Sequence, residues 1–295
     1  MESGLKPLGR ERFWLGALLA PTIIGLIFGV IGSIFATIGL SFLKWDLLQP
    51  PTWAGFDNFV GLLKDSLFLK SVSFTFAFSA MYVPGTIVLS LAVALLLNRK
   101  LRGVSVFRTI YFLPSVTSAV AVGLVWSWIY ARDNGLLNNV LQTMGLEPVN
   151  WLSTKNALSS IAIVNIWGAI GEGAIVFLAG LQAVPRDYYE AAQVDGANEW
   201  QQFWRITLPL ITPSIFFQTI ITTTNAFQAF EYVYVLTRGA NGASQTPTMV
   251  YSIWQNGFRW FNMGAASAQA IVLAVIIFAL TAVYFWLQRR WVIYD

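Results

Sequence analysis

At 295 residues the chain has length for one or two domains, but it is 56% hydrophobic and only 11% charged, against roughly 25% charged in a soluble domain. Its net charge of +4 is small and scattered, which argues against a nucleic-acid partner. The sequence contains no cysteine and no histidine. Thiolate catalysis and zinc–sulfur sites are thereby excluded, and the commonest general base and metal ligand is missing, so neither an enzyme nor a metal site is expected.

Apolar runs come next, because a helix needs about 20 such residues to cross hydrocarbon. In chain order they are Phe13–Leu43, Ser71–Asn98, Thr109–Ala131, Asn156–Pro185, Ile206–Thr237 and Trp260–Gln288. Glu172 alone interrupts the fourth, and Glu231 alone interrupts the fifth. All are far longer than the strands of about ten alternating residues that build a membrane barrel. The expectation is an all-α, polytopic membrane protein with six transmembrane helices. The first run follows Lys6, Arg10 and Arg12 but exceeds a signal-peptide core of 7–15 residues, so it reads as a retained span. Gly25 and Gly29 within it have the GxxxG spacing of close helix packing.

Loop charge orients the spans. Eleven basic residues (Lys6, Arg10, Arg12, Arg99, Lys100, Arg102, Arg108, Arg186, Arg205, Arg289 and Arg290) fall on one side and seven on the other. The seven are diluted by Asp46, Asp57, Asp65, Asp133 and Glu147. The positive-inside rule places the richer side, with both termini, in the cytoplasm. Trp45, Trp53, Trp126, Trp128, Trp151, Trp254 and Trp260 then fall near outer span ends, where aromatic residues anchor a helix at the membrane interface. The chain divides into residues 1–70 (tail, first span and outer loop) and a five-helix core, 71–295, containing the cytoplasmic loop 186–209.

That loop is the most informative stretch: YYEAAQVDGANEWQQFWRITLPL, residues 188–210. Asp187 and Glu190 have capping-box spacing, and Ala191, Ala192 and Val194 continue a helix. Gly196 can take a positive φ and end it. Asn198 can cap a second helix carrying an apolar stripe of Trp200, Phe203, Trp204 and Ile206. Leu208-Pro209 reads as a break before the fifth span. A helix–turn–helix elbow results.

Glu190-Ala191-Ala192, three residues, Gly196, nine residues and then Ile206-x-Leu208-Pro209 resembles the signature loop of ABC importer permeases. Leu178-Ala179-Gly180-Leu181-Gln182 and Asp195-Gly196-Ala197 resemble the carbohydrate branch, of the maltose and glycerol-3-phosphate type. So do Ser41-Phe42, Trp45-Asp46 and Gly55-Phe56-Asp57-Asn58-Phe59 in the first outer loop. After the fifth span the family often has Gly-Gly-Pro and Ser-Thr, where this chain has Gly239-Ala240-Asn241 and Ser244-Gln245-Thr246. The resemblance covers nearly the whole chain. It implies a type I permease fold in a bacterial or archaeal inner membrane.

The same resemblance makes the loop a coupling helix, with Glu190, Ala191, Ala192, Asp195, Gly196, Ile206, Leu208 and Pro209 seated on an ATP-binding subunit. The implied partners are a second homologous permease, two ATP-binding cassette subunits, an extracytoplasmic solute-binding protein and membrane lipid. ATP and Mg belong to the partner subunit, with no cofactor on this chain. The residues agree on that point: a P-loop needs GxxxxGK[ST], and none of the six lysines follows a glycine.

Polar residues within spans are costly and therefore candidates for the transport path. Asn165, Ala169 and Glu172 lie at helical spacing with Gly168, and glycines beside Glu172 would leave room for a ligand. The fifth run carries Gln218, Thr222, Thr223, Thr224, Asn225, Gln228 and Glu231. With Trp167, Phe227, Phe230 and Tyr232 these supply the rings and hydrogen-bonding groups that a carbohydrate substrate requires. Buried threonines can also satisfy themselves on their own helix. The substrate candidates are Asn165, Ala169, Glu172, Thr222, Asn225, Gln228 and Glu231. A stand-alone secondary transporter or channel, with Glu172 and Glu231 relaying protons, is the alternative.

Overall fold

The computed structural model describes residues 9–99, 103–238 and 248–292. Lys6, Lys100, Arg102 and the loop residues Gly239-Ala240-Asn241 and Ser244-Gln245-Thr246 lie outside this set. The helices follow one another as α1 (Gly9–Ile24), a π-helical turn (Gly25–Ile31) and α2 (Gly32–Ser41). A two-stranded hairpin follows, β1 (Leu43–Lys44) antiparallel to β2 (Thr52–Trp53), then α3 (Asp57–Leu62). Next come α4 (Ser66–Leu97), α5 (Val104–Val116), α6 (Ala119–Ile129), α7 (Leu136–Thr143) and α8 (Ala157–Ala183). The elbow is α9 (Arg186–Val194), α10 (Glu199–Gln202), a π-helical turn (Phe203–Thr207) and α11 (Leu208–Leu210). α12 (Thr212–Phe227), α13 (Glu231–Arg238), α14 (Met249–Trp254), a third π-helical turn (Gln255–Arg259) and α15 (Met263–Gln288) complete the order.

Four helical stretches are individually long and apolar enough to cross a membrane: Trp14–Ser41, α4, α8 and α15. The predicted third and fifth spans are each bent pairs. α5 and α6 meet at 96°, and Glu199–Leu210 meets Thr212–Thr237 at 64°. Six spans result only when each bent pair counts as one. The continuous third run predicted from Thr109–Ala131 therefore breaks, between Val116 and Ala119, where Thr117 is extended at ψ 145°. Pro114, Ser115, Thr117 and Ser118 cluster at the bend, a breaker signal that the continuous apolar run hides.

Two compact units divide the chain differently from the sequence boundary at 70/71. One is Met1–Lys64 with Ile253–Val272; the other is Asp65–Ser252 with Leu273–Asp295. Residues 70 and 71 fall inside α4, whose start at Ser66 is set by Asp65, a cap accepting from the Leu67 amide at 2.9 Å. Residues 253–272 join the first unit through backbone pairing that sequence spacing cannot reveal.

In the first unit the Trp14–Ser41 stretch is apolar all round, with Leu18 74% and Phe28 75% exposed. Such a helix needs hydrocarbon rather than water as its solvent. A side-chain carbon added at Gly25 or Gly29 would find no atom within 4 Å, so their spacing serves no packing within the described chain. The hairpin is locked by Asn58, whose amide donates to the Ser41 and Leu43 carbonyls at 2.7 and 2.9 Å. The Phe42 ring packs against Trp53, Phe56 and Phe59.

The second unit is organised on α4 and α8, its most extensive helix pair. Ser90 donates across them to the Ile170 carbonyl at 3.2 Å. Val93, Ala94, Leu97, Ala174, Phe177, Leu178, Leu181, Val184 and Ile211 form one buried cluster at the end of the pair that leads into the elbow. Gly171 and Gly173 are both buried here. A side-chain carbon on Gly171 would meet the α5 backbone at Tyr111 and Phe112, and one on Gly173 would meet Ser90 and Gln218. The glycines flanking Glu172 thus serve close helix packing, and the ligand space predicted from them is filled by neighbouring helices.

The loop between α6 and α8 depends on Asn138, which is fully buried. Its amide donates to the Arg132 and Val149 carbonyls, both at 2.9 Å, while its carbonyl accepts from the Val149 amide at 3.0 Å and the Trp151 indole at 3.1 Å. Trp151 stacks on Tyr130 and Trp126 packs edge-on to Trp167, so both rings also brace this end of the unit. Asn138→Leu strands at least two backbone groups and an indole. A loss of about 2–4 kcal/mol is expected, measurable as a lower thermal midpoint of the detergent-purified protein.

Candidate functional site: elbow and polar stripe

The elbow forms because each of its ends is locally determined. α9 terminates at Asp195 with Gly196 at φ 78°; the Gly196 amide donates to the Gln193 carbonyl at 3.0 Å and the Ala197 amide to the Ala192 carbonyl at 2.8 Å. This pair of bonds is the Schellman closure, which a glycine at positive φ permits. Asn198 then starts α10 with a reciprocal capping box: its side chain accepts from the Gln201 amide at 2.9 Å, and its own amide donates to the Gln201 side chain at 3.0 Å.

Two details differ from the sequence reading. α9 has Pro185 at its cap with no side-chain bond, so Asp187 does not close a box with Glu190; it stands in the first turn, where the helix dipole favours an acid. Pro209 does not break the chain either. It lies in the last turn of the continuous Glu199–Leu210 helix, directly after the π-helical turn, and the bend comes at Ile211.

The elbow is braced from inside. The Tyr189 and Thr207 hydroxyls lie 3.0 Å apart, joining α9 to the π-helical turn. Arg99, just beyond the end of α4, approaches Glu199 at 3.7 Å, but both are highly exposed and contribute little. Trp200, Phe203 and Trp204 pack on one another with centroids 5.2–6.3 Å apart. Glu190, Ala191, Asp195 and Gly196 are exposed, Ala192, Ile206, Leu208 and Pro209 are half-buried, and Val194 is 89% exposed at the tip. An exposed valine beside two alanines and a tight turn is a small, apolar, rigid projection.

On the spans, α12 and α13 both lie against α8, and the Tyr232 hydroxyl would sit 3.1 Å from a side-chain carbon on Gly168. Glu172, Asn225, Gln228 and Glu231 are exposed in the described chain, Trp167 is 40% exposed, and Asn165 and Ala169 are half-buried. Asn165 donates to the Ile161 carbonyl of its own helix at 2.9 Å, leaving its carbonyl oxygen for another donor.

Thr222 is not part of this stripe. It is 1% exposed and donates to the Gln218 carbonyl at 2.7 Å, while Thr224 donates to Ile220 at 2.9 Å. Thr223 instead meets the Tyr284 hydroxyl at 3.2 Å, on the wall of an apolar cavity of about 280 Å³ that none of the substrate candidates lines. Glu231 cannot share a helical face with Thr224 and Gln228, because α12 ends at Phe227 and Glu231 opens α13. There its charge faces the unpaired amides of a helix start.

Outside the spans, Asp46 accepts from the Leu48 and Gln49 amides at 3.1 and 2.9 Å. The Gln49 bond first, then that of Leu48, holds its carboxyl below the usual carboxylate value. The turn is therefore stabilised at neutral pH and loses this contribution only as pH falls through that lowered value.

Most of the chain is similar to known proteins. Residues 86–293 match the family described as binding-protein-dependent transport system inner membrane component. A probable ABC transporter permease, YesP of Bacillus subtilis, is 35% identical over 95% of this chain and 91% of its own length. The sulfoquinovosyl glycerol transport system permease SmoG of Agrobacterium fabrum is 33% identical over 93% of this chain and 90% of its own. A chain of the crystal structure of a bacterial ABC transporter importing the acidic polysaccharide alginate superposes with a TM-score of 0.83 at 28% identity, covering 95% of this chain and 96% of that one. A stand-alone transporter or channel finds no support in these likenesses. The protein belongs to the inner membrane components of binding-protein-dependent transport systems, the permeases of ABC importers.

Proposed function

We propose that this permease imports a carbohydrate. It pairs with a second, related permease and rests through its elbow on one of two ATP-binding subunits, which carry ATP and Mg and perform the hydrolysis. Both termini and the elbow face the cytoplasm, and a solute-binding protein delivers the sugar from the opposite side. The observation that carries the coupling is the elbow itself: a cap at Asn198, a closure at Gly196 and a brace at Tyr189–Thr207 build a stiff lever with an exposed apolar tip. A mere connector between spans needs none of these.

The carbohydrate reading is supported by the exposed amides and carboxylates of Asn225, Gln228, Glu172 and Glu231, with the Trp167 ring also exposed on α8. It is supported also by the sugar named for SmoG and the polysaccharide named for the alginate importer. Asn165 and Ala169, both half-buried on α8, would complete the same stripe. The path opens alternately to either side as ATP-driven movement of the elbow turns the helices around it.

ATPase activity of the assembled complex, measured across neutral, amino and acidic di- to tetrasaccharides, tests this reading; stimulation by none of them would overturn it. Vanadate should block uptake. Glu172→Gln is expected to change the sugar preference at unaltered membrane abundance, because the carboxylate projects from α8 without packing inside the chain. Competition uptake assays with the panel measure it, and an unchanged profile would make Glu172 a structural acid. Glu190→Ala removes one exposed charge from the docking face and should lower uptake by no more than about tenfold, the scale of a single charged contact.

A further inference from the structure

The first unit carries a cleft of about 430 Å³ that the transport path does not use. Its volume falls within the roughly 300–1,000 Å³ of small-molecule sites. Two segments line it. The hairpin side contributes Lys44, Trp45, Asp46 and Gln49, and the segment before α15 contributes Trp260 and Asn262. Trp45 is half-buried and Trp260 is 51% exposed, so both rings are accessible.

The cleft is built rather than incidental. Among the described residues, Leu47 and Phe261 are the two non-glycine positions with left-handed backbone, at φ 65° and 55°. One stands in each wall, next to residues that line the cleft. Left-handed conformations are unfavourable for such side chains and collect at binding sites, where surrounding structure enforces them. Here the enforcement is visible: the Met263 amide donates to the Trp45 carbonyl at 3.0 Å and ties the walls together. Asp46 fixes the turn through one carboxylate oxygen, Oδ1, which accepts both the Leu48 and Gln49 amides.

The lining chemistry selects the ligand. Two indoles offer flat apolar faces to the C–H surface of a pyranose ring. A carboxylate, two amides and an ammonium offer acceptors and donors to its hydroxyls. A phosphate headgroup would be opposed by Asp46 beside Lys44. We infer that the cleft is a saccharide subsite on the outer face, separate from the stripe in the spans, which engages the sugar between Trp45 and Trp260 before it enters the membrane. The inference rests on the orientation and the carbohydrate substrate proposed above.

The test uses the complete importer in nanodiscs with its solute-binding protein, and as probe the panel saccharide that stimulates ATPase most. Trp45→Ala and Trp260→Ala are expected to raise the half-saturating sugar concentration about tenfold with the maximal rate retained, and Trp45→Phe and Trp260→Phe to restore it by keeping a ring. Gln49→Ala, on an exposed turn that packing does not depend on, should raise it about threefold. Half-saturation unchanged in all three alanine variants overturns the subsite, as does failure of both phenylalanine variants to rescue. Loss of solute-binding-protein capture in the alanine variants also overturns it, making the cleft a protein-docking surface. If no saccharide stimulates the unaltered importer, the carbohydrate reading falls first, and the subsite with it.

Discussion

Replacing Gly196 with valine is expected to abolish uptake while the permease stays in the membrane at normal abundance. Gly196 sits at φ 78° with nothing within 4 Å of an added side-chain carbon, so a first side-chain carbon meets no clash in this chain. Its cost is the left-handed backbone alone, roughly 1–2 kcal/mol for an ordinary residue and more for a branched one. That is too little to unfold a protein whose core lies along α4 and α8. It is enough to open the Schellman turn and move Val194 and Glu190, two exposed groups of the elbow.

A docked projection tolerates little displacement, so coupling fails before folding does. Gly196→Asn supplies the control, because asparagine visits the left-handed region far more readily than valine; it should retain substantial uptake. Uptake is measured beside pull-down of the ATP-binding subunit and membrane abundance. Full uptake by Gly196→Val would remove the main support for the coupling role.

Gly171→Val is expected to do the reverse and deplete the permease from the membrane. The obstacle there is the α5 backbone at Tyr111 and Phe112, which cannot rotate aside as a side chain would. Overpacking typically costs 1–3 kcal/mol and more when backbone must move, and α5 would be levered off α8. Gly171→Ala should be milder but still destabilising. The adjacent Glu172→Gln, which points out of the same helix, should leave abundance unchanged. Abundance in membranes and the thermal midpoint in detergent distinguish the two positions. A normal midpoint for Gly171→Val would mean that α5 does not lie against α8 as the structure has it.

These two glycines show how differently sequence and structure speak. Gly196 is legible as a turn residue because its role is local: it joins a helix end to a cap at nearby Asn198, at a spacing that the resemblance also marks. The same holds for Asn198 and for the apolar stretches, since hydrocarbon demands length and hydrophobicity from each helix separately. Asp187 misleads because its spacing permits a box that Pro185, fixed in extended conformation at ψ 139°, pre-empts by starting the helix itself.

What the sequence determined by itself is the class of protein, the number of apolar runs and the elbow between the fourth and fifth of them. Each follows from composition and short-range pattern, which act residue by residue along the chain. Only the tertiary structure decided that Gly171 and Gly173 are packing surfaces, that Thr222 bonds its own helix while Asn225 and Gln228 stand clear, and that Glu231 opens a new helix. It alone brought Trp260 and Trp45, far apart in the chain, to the two walls of one strained cleft. The physical reason is that an apolar span is hydrophobic on every side, so its sequence carries no periodic mark of which face meets another helix; that choice is made by contacts between segments remote in the chain.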